Sequence, residues 1–226
     1  MSYREEILSN IKAALSLESN PHTEGRGSSR DRVDGKDFQF GLPQGGDTQE
    51  AQWALFVENA QALKMEVQTM ANDTQLHDHL EWLARQETWE TIGTHAGSLT
   101  DPACAALGLP LCRTDQPYEV DQLEACQASL TECDALIAQT GSILVTTTSA
   151  GGRALSVLPP HHVVLARRDQ LLPDLSAAFA LLKQRYSPNY PSFITFITGA
   201  SRTGDIERIL VLGAHGPRKL TVLVRD

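Results

Sequence analysis

No apolar run in this chain is long enough to span a bilayer, which argues against a helical membrane protein. The amino terminus, Met1-Ser-Tyr-Arg-Glu-Glu6, lacks the basic-then-apolar order of a secretory signal. The expectation is a soluble, cytoplasmic protein. Basic residues are scarce: 19 Lys and Arg stand against 28 Asp and Glu, a formal net charge of −9. That balance removes the electrostatic footprint of a nucleic-acid binder. Cys104, Cys112, Cys126 and Cys133 contain no C-x-x-C pair to present two thiolates to one metal. They read as four reduced, mostly buried thiols, and the chain is expected to hold no iron–sulfur cluster of its own. Also missing are H-E-x-x-H, G-x-S-x-G and a G-x-G-x-x-G between strand and helix. Ser149-Ala-Gly-Gly-Arg153 lacks the lysine and spacing of a P-loop and reads as a turn. His161 and His162 are neighbours on a predicted strand and point to opposite faces, while His77 and His79 are two apart on a predicted helix. Neither pair can grip one metal, so neither metal nor cofactor is expected.

What is present suits a globular protein. The 226 residues can bury a substantial core. Ile7, Leu8, Ile11 and Leu15 predict a short amphipathic helix in residues 1–17. Gly- and Pro-punctuated polar sequence then predicts a linker or long loop over 18–47. Beyond it, helical spacing predicts helices over 49–64, 73–85, 123–130 and 174–185, the last with Leu175, Ala178, Phe179 and Leu182 inward. Strand-like runs fall at 65–70, 90–93, 109–113, 135–138, 143–148, 154–158, 161–166, 193–198 and 220–224. Alternating strands and helices imply the α/β class with a mostly parallel sheet. The turn residues around 139–142 and 149–153 add a hairpin, so part of the sheet is expected to be antiparallel.

Special-purpose residues crowd Thr198-Gly-Ala-Ser-Arg-Thr-Gly-Asp-Ile-Glu207 and Gly213-Ala-His-Gly-Pro-Arg218. Read locally, Ser201 or Thr203 caps a helix running to about Leu212, with Asp205 and Glu207 in its first turn and Gly213 ending it. Capping leaves Ser201, Arg202, His215 and Arg218 to explain. Arg202 can fork onto a carboxylate or phosphate, and His215 can carry a proton near neutral pH. Thr140-Gly141-Ser142 is a second candidate: two hydroxyls, with a glycine that lets a ligand approach the backbone. The candidate ligand site is therefore Thr140, Gly141, Ser142, Ser201, Arg202, Thr203, Asp205, His215 and Arg218.

Asp134-Ala-Leu-Ile-Ala-Gln-Thr-Gly-Ser142, Arg153-Ala-Leu-Ser-Val-Leu-Pro-Pro160, Ser201-Arg-Thr-Gly-Asp-Ile-Glu207 and Gly213-Ala-His-Gly-Pro-Arg218 stand in this order and spacing. Together they resemble the LUD-domain proteins, and among these the lactate-utilisation protein C (LutC/YkgG) family, over roughly residues 50–226. Gln139 stands where the family usually has Asp, and Ser142 where it usually has Thr. The resemblance implies a LUD domain over 48–226 with a three-layer α/β/α fold like that of the sugar-phosphate isomerase and CoA-transferase superfamily. It implies a part in L-lactate oxidation to pyruvate, in complex with iron–sulfur partner proteins. Whether the chain is itself an enzyme stays open, with no family list of catalytic residues to carry over. The expected role is an accessory or small-acid-binding subunit; the alternative is a stand-alone enzyme on a phosphorylated or CoA-linked metabolite. A homo-oligomer formed through the amino-terminal helix is a further expectation.

Overall fold

The central strands are short, β-branched-rich runs buried on both faces. In the computed structural model, β7 (His161–Arg167) and β12 (Lys219–Arg225) pair in parallel at the middle of a six-stranded sheet. β1 (Glu66–Met70) lies beside β12; β4 (Ala128–Glu132), β2 (Ile92–Thr94) and β3 (Leu111–Arg113) follow β7. Every pairing is parallel, as expected for strands joined through helices. The described residues are 45–204, 210–212 and 216–226, within a compact unit spanning Pro43–Asp226. The predicted amino-terminal helix and most of the predicted linker lie outside them, as do Asp205 and His215.

Alternation along the strands gives the sheet two apolar faces. Leu130, Val163, Leu165 and Leu223 pack on α2 (Asp73–Gln86) and α3 (Thr100–Leu107). Val164, Ala166, Leu220, Val222 and Val224 pack on α1 (Gln49–Ala62) and on a second sheet. That sheet has the order β8-β5-β6-β9, from β5 (Ala135–Ile137), β6 (Ser142–Thr146), β8 (Leu171–Leu172) and β9 (Ile194–Ile197). β5 and β6 form the antiparallel hairpin that the turn residues predict. The second sheet's other face, with Ala135, Ile137 and Leu144, is covered by Ala178 and Leu182 of the helix Leu175–Tyr186. The α/β class with a mostly parallel sheet is thus observed, one covering layer holding a small mixed sheet.

Four local expectations change. Residues 123–130 divide between a short helix, Val120–Glu124, and β4, because a strand buried on both faces shows no alternation in sequence. Ala154–Ser156 is a 3₁₀ turn rather than a strand. Arg202–Gly204 and Leu210–Leu212 are two antiparallel strands, β10 and β11, so the described residues of the helix expected over 201–212 are extended instead. Phe179 is 58% exposed rather than inward, its ring edge meeting Phe196. All four cysteines are buried free thiols, and burial pushes Cys126 up to about 12.

Candidate functional site

The structure distributes the described sequence-selected residues over four places. Thr140 and Gly141 form the β5–β6 turn, held by Asn59 of α1, whose Nδ2 donates to the Ala138 and Gln139 carbonyls at 2.9 and 3.2 Å. Gly141 has φ +62°, and a Cβ there would lie 2.6 Å from Ala60 N. What approaches this glycine closely is therefore helix α1. Gln139 Oε1 accepts from Leu175 N at 3.3 Å, so a neutral oxygen serves the start of the next helix. Arg218 is exposed on the opposite face of the central sheet, where its N donates to the Pro160 carbonyl. It borders an open cleft of about 410 Å³ with Trp89, Gln127 and His161. His161 is fully engaged there: Nδ1 bonds Glu87 and Nε2 bonds Thr221, each at 2.8 Å. Arg202 and Thr203 lie in β10, opposite Leu212 and Val211.

Ser142 and Ser201 lead to the fourth place. Ser142 begins β6, and its Oγ shares a 2.8 Å hydrogen bond with Thr198 Oγ1 at the end of β9. The chain then turns through Gly199, at φ +98°, where a Cβ would meet the Leu63 carbonyl oxygen at 2.8 Å. Ser201 N donates to the Pro217 carbonyl at 2.9 Å, drawing the 198–201 and 216–217 segments together. Beneath them is a cavity of about 240 Å³, lined by Ser156, Val157, Ile197, Gly199, Ala200, Ser201, Gly216, Pro217, Leu220 and His162. Its floor comes from β7 and β12, where His162 and Leu220 are register partners. One wall is the 3₁₀ turn, fixed by Ser129 Oγ donating to the Leu155 carbonyl at 2.6 Å.

Strand alternation rules out His162 only as a joint metal ligand with His161. The His162 ring is wholly buried, and Nε2 lies 2.8 Å from Thr131 Oγ1. Nδ1 is buried and has no hydrogen-bond partner among the described residues. Burial, reinforced by His161, lowers the imidazole from 6.5 to about 3. The ring is therefore neutral at physiological pH. A buried ring nitrogen without a partner beside a cavity is the structural signal; only the apolar run around His161-His162 hints at it in sequence.

The cavity sits at the amino ends of the central strands, whereas open parallel sheets commonly bind ligands at the carboxyl ends. At that carboxyl edge Glu132 accepts from Leu99 N (2.6 Å) and Thr100 N (3.2 Å), filling the start of α3. His95 is held by Ala96 and Glu132, and Arg113 by Asp101 and Asp115. Farther along, Arg167, Arg168 and Arg225 surround a cleft of about 340 Å³ with Gln49, Asp169 and Asp226. Arg168 stacks over Trp53 at 3.8 Å, and Arg225 pairs with Asp73.

Residues 118–224, a little under half of the chain, match the family described as LUD domain. The chain's curated relatives bear the name lactate utilization protein C. One, from Deinococcus radiodurans, is 33% identical over 119 residues, covering 52% of this chain and 55% of the relative. Another, from a Geobacillus species, is 29% identical over 157 residues, 60% and 65% of the two chains. A third, from Anoxybacillus flavithermus, is 32% identical over 105 residues, 46% of each. The chain thus matches about half the length of these relatives. A crystal structure of a DUF162 family protein from Deinococcus radiodurans aligns with TM-score 0.63 and 21% identity, covering 80% of this chain and all of that one. That likeness establishes the fold. Among the described residues no helix is long and apolar enough to cross a membrane.

Proposed function

We propose that this chain is a component of an L-lactate utilisation system, serving the oxidation of L-lactate to pyruvate as a subunit without a cluster that holds a small acid in the His162 cavity. Iron–sulfur proteins are its partners in this reading. The observation that carries it is a coincidence of position. Every described lining residue of the cavity falls within 118–224, the segment that matches the LUD domain, and the relatives are named for lactate use. The test is recovery of the tagged full chain from lactate-grown cells, with iron and acid-labile sulfide measured in the eluate. Co-purifying iron–sulfur proteins are expected; a lone chain free of iron in the eluate counts against partners. Robust lactate-dependent dye reduction by the purified chain alone would overturn the accessory role.

The arginine cleft favours a second reading, an enzyme acting alone on a phosphorylated or CoA-linked metabolite. Three guanidinium groups at the carboxyl edge suit phosphate oxygens, although Asp73, Asp169 and Asp226 offset much of that charge. Thermal shift against sugar phosphates and CoA esters separates the two. A ligand at a hundredfold excess over Kd adds about 2.7 kcal/mol, and no shift across the panel removes this reading.

A further inference from the structure

Three hydroxyls near the cavity are used within the protein. Ser129 donates to Leu155 and Ser156 to Arg153, and on the other face Thr221 bonds His161. His162 is different: Nδ1 is buried, unpartnered among the described residues, and belongs to a ring that lines open space. Burying such a group incurs its full desolvation unless something completes it.

Thr131 decides what that something must offer. The imidazole is the sole side-chain bond of Thr131 among the described residues. Its hydroxyl proton is used only when O–H donates to Nε2. In that tautomer Nδ1 carries the ring proton and is a donor lacking an acceptor. The imidazole, lowered by burial and by His161 to about 3, neither gains charge nor serves as a base at neutral pH. Donation of a hydrogen bond is the role left to it. Val157, Ile197, Pro217 and Leu220 make much of the lining apolar, and no described lining residue is charged. The volume, about 240 Å³, equals roughly eight waters at about 30 Å³ each. A short carbon skeleton bearing a neutral oxygen fits these terms better than a bare anion.

We propose that the cavity binds a short-chain 2-oxo or 2-hydroxy acid whose 2-oxygen accepts the hydrogen bond from His162 Nδ1, with the carboxylate toward the mouth. The acid rests on the functional reading above; the oxygen contact rests on His162 and Thr131 alone.

The experiment is two-bond ¹⁵N–¹H correlation on the full chain labelled at histidine, titrated with pyruvate, L-lactate, propionate and acetone. Propionate keeps the charge and loses the 2-oxygen; acetone keeps the carbonyl and loses the charge. His162 Nδ1 is expected to resonate as a protonated nitrogen and to shift with pyruvate and L-lactate but not with propionate. Their Kd should rise at least tenfold in His162→Phe, which retains ring volume. An unprotonated Nδ1 in the free chain, or unchanged affinity in His162→Phe, overturns the contact. Pyruvate binding that leaves Nδ1 unmoved defeats the oxygen assignment and spares the small-acid reading. A shift with acetone alone does the reverse. The labelled wild-type chain yields these answers even where the variant does not fold.

Discussion

Gly141 and Gly108 share a dihedral, φ +62°, yet differ in what surrounds them. A Cβ at Gly108 would meet nothing within 4 Å, whereas at Gly141 it would meet the backbone of α1 at Ala60 and Asn59. Gly108→Ala therefore carries the left-handed strain alone, about 1 kcal/mol. Gly141→Ala adds a collision with helix backbone, for a total of about 3 kcal/mol. Urea denaturation of the two variants compares them directly, and equal losses would mean that α1 yields freely. The special backbone need of Gly141 was visible in sequence, but its cause was not. Asn59, which holds the same turn, lies 79 residues from Ala138, and no local pattern announces such a neighbour. His162 was passed over for a related reason. Its importance lies in a hydrogen bond it lacks, which only packing reveals.

At the scale of elements, the helix Leu175–Tyr186 is tied to the start of β5 by one carboxylate. Asp134 Oδ1 accepts from Arg185 at 2.5 Å and from Tyr186 at 2.6 Å, while its Oδ2 is buried without a partner among the described residues. Burial, then the bond to Asp134, pushes the Tyr186 phenol up. Arg185 is 46% exposed, so it rehydrates when its partner is neutralised. Asp134→Asn should cost about 1–3 kcal/mol and Tyr186→Phe about 1 kcal/mol. The double variant should lose less than the sum, since both remove one shared bond. Strict additivity in urea midpoints would show the two contacts to be independent. The elements legible in sequence were those with a clear period or cap. The helix Leu175–Tyr186 has Asp174 as N-cap, and α2 shows Leu76, Leu80 and Leu83 at helical spacing. α3 was missed although Pro102 in its first turn and left-handed Gly108 at its end were available signals. The β10–β11 pair was read as a helix because Ser, Thr, Asp and Gly serve caps and turns alike. Strand pairing between Arg202–Gly204 and Leu210–Leu212 is a tertiary choice that overrides the local signal.

For the whole molecule, buried histidines set the response to acid. His79, His95 and His162 each have an imidazole held below its ordinary value, in every case first by burial. Such a group is neutral in both folded and unfolded chains above about 6.5, so its contribution to stability is complete there. As pH falls below that value the unfolded chain takes a proton that the folded chain refuses, and stability is lost. For His162 the loss extends from 6.5 to about 3, at up to about 1.4 kcal/mol per pH unit. Glu87 acts in another range. Burial raises its carboxyl, but bonds from Lys219 and His161 outweigh that and hold it low. Its contribution is lost only as acid goes below the ordinary carboxylate range. The formal charge of −9 works the other way, since neutralising it on acidification relieves self-repulsion. Those surface charges are screened beyond about 8 Å in physiological salt, while the desolvation of a buried imidazole is not. The urea midpoint should therefore fall between pH 7 and pH 5, and His162→Phe should flatten most of that slope. His79→Phe should flatten less of it, because that ring is only partly buried and water shares its field. A midpoint unchanged from pH 7 to pH 5 in the wild-type chain would mean that His162 accepts a proton at little cost. Its cavity would then be wet and its nitrogens already served, and the case for a ligand oxygen at Nδ1 would fall with it.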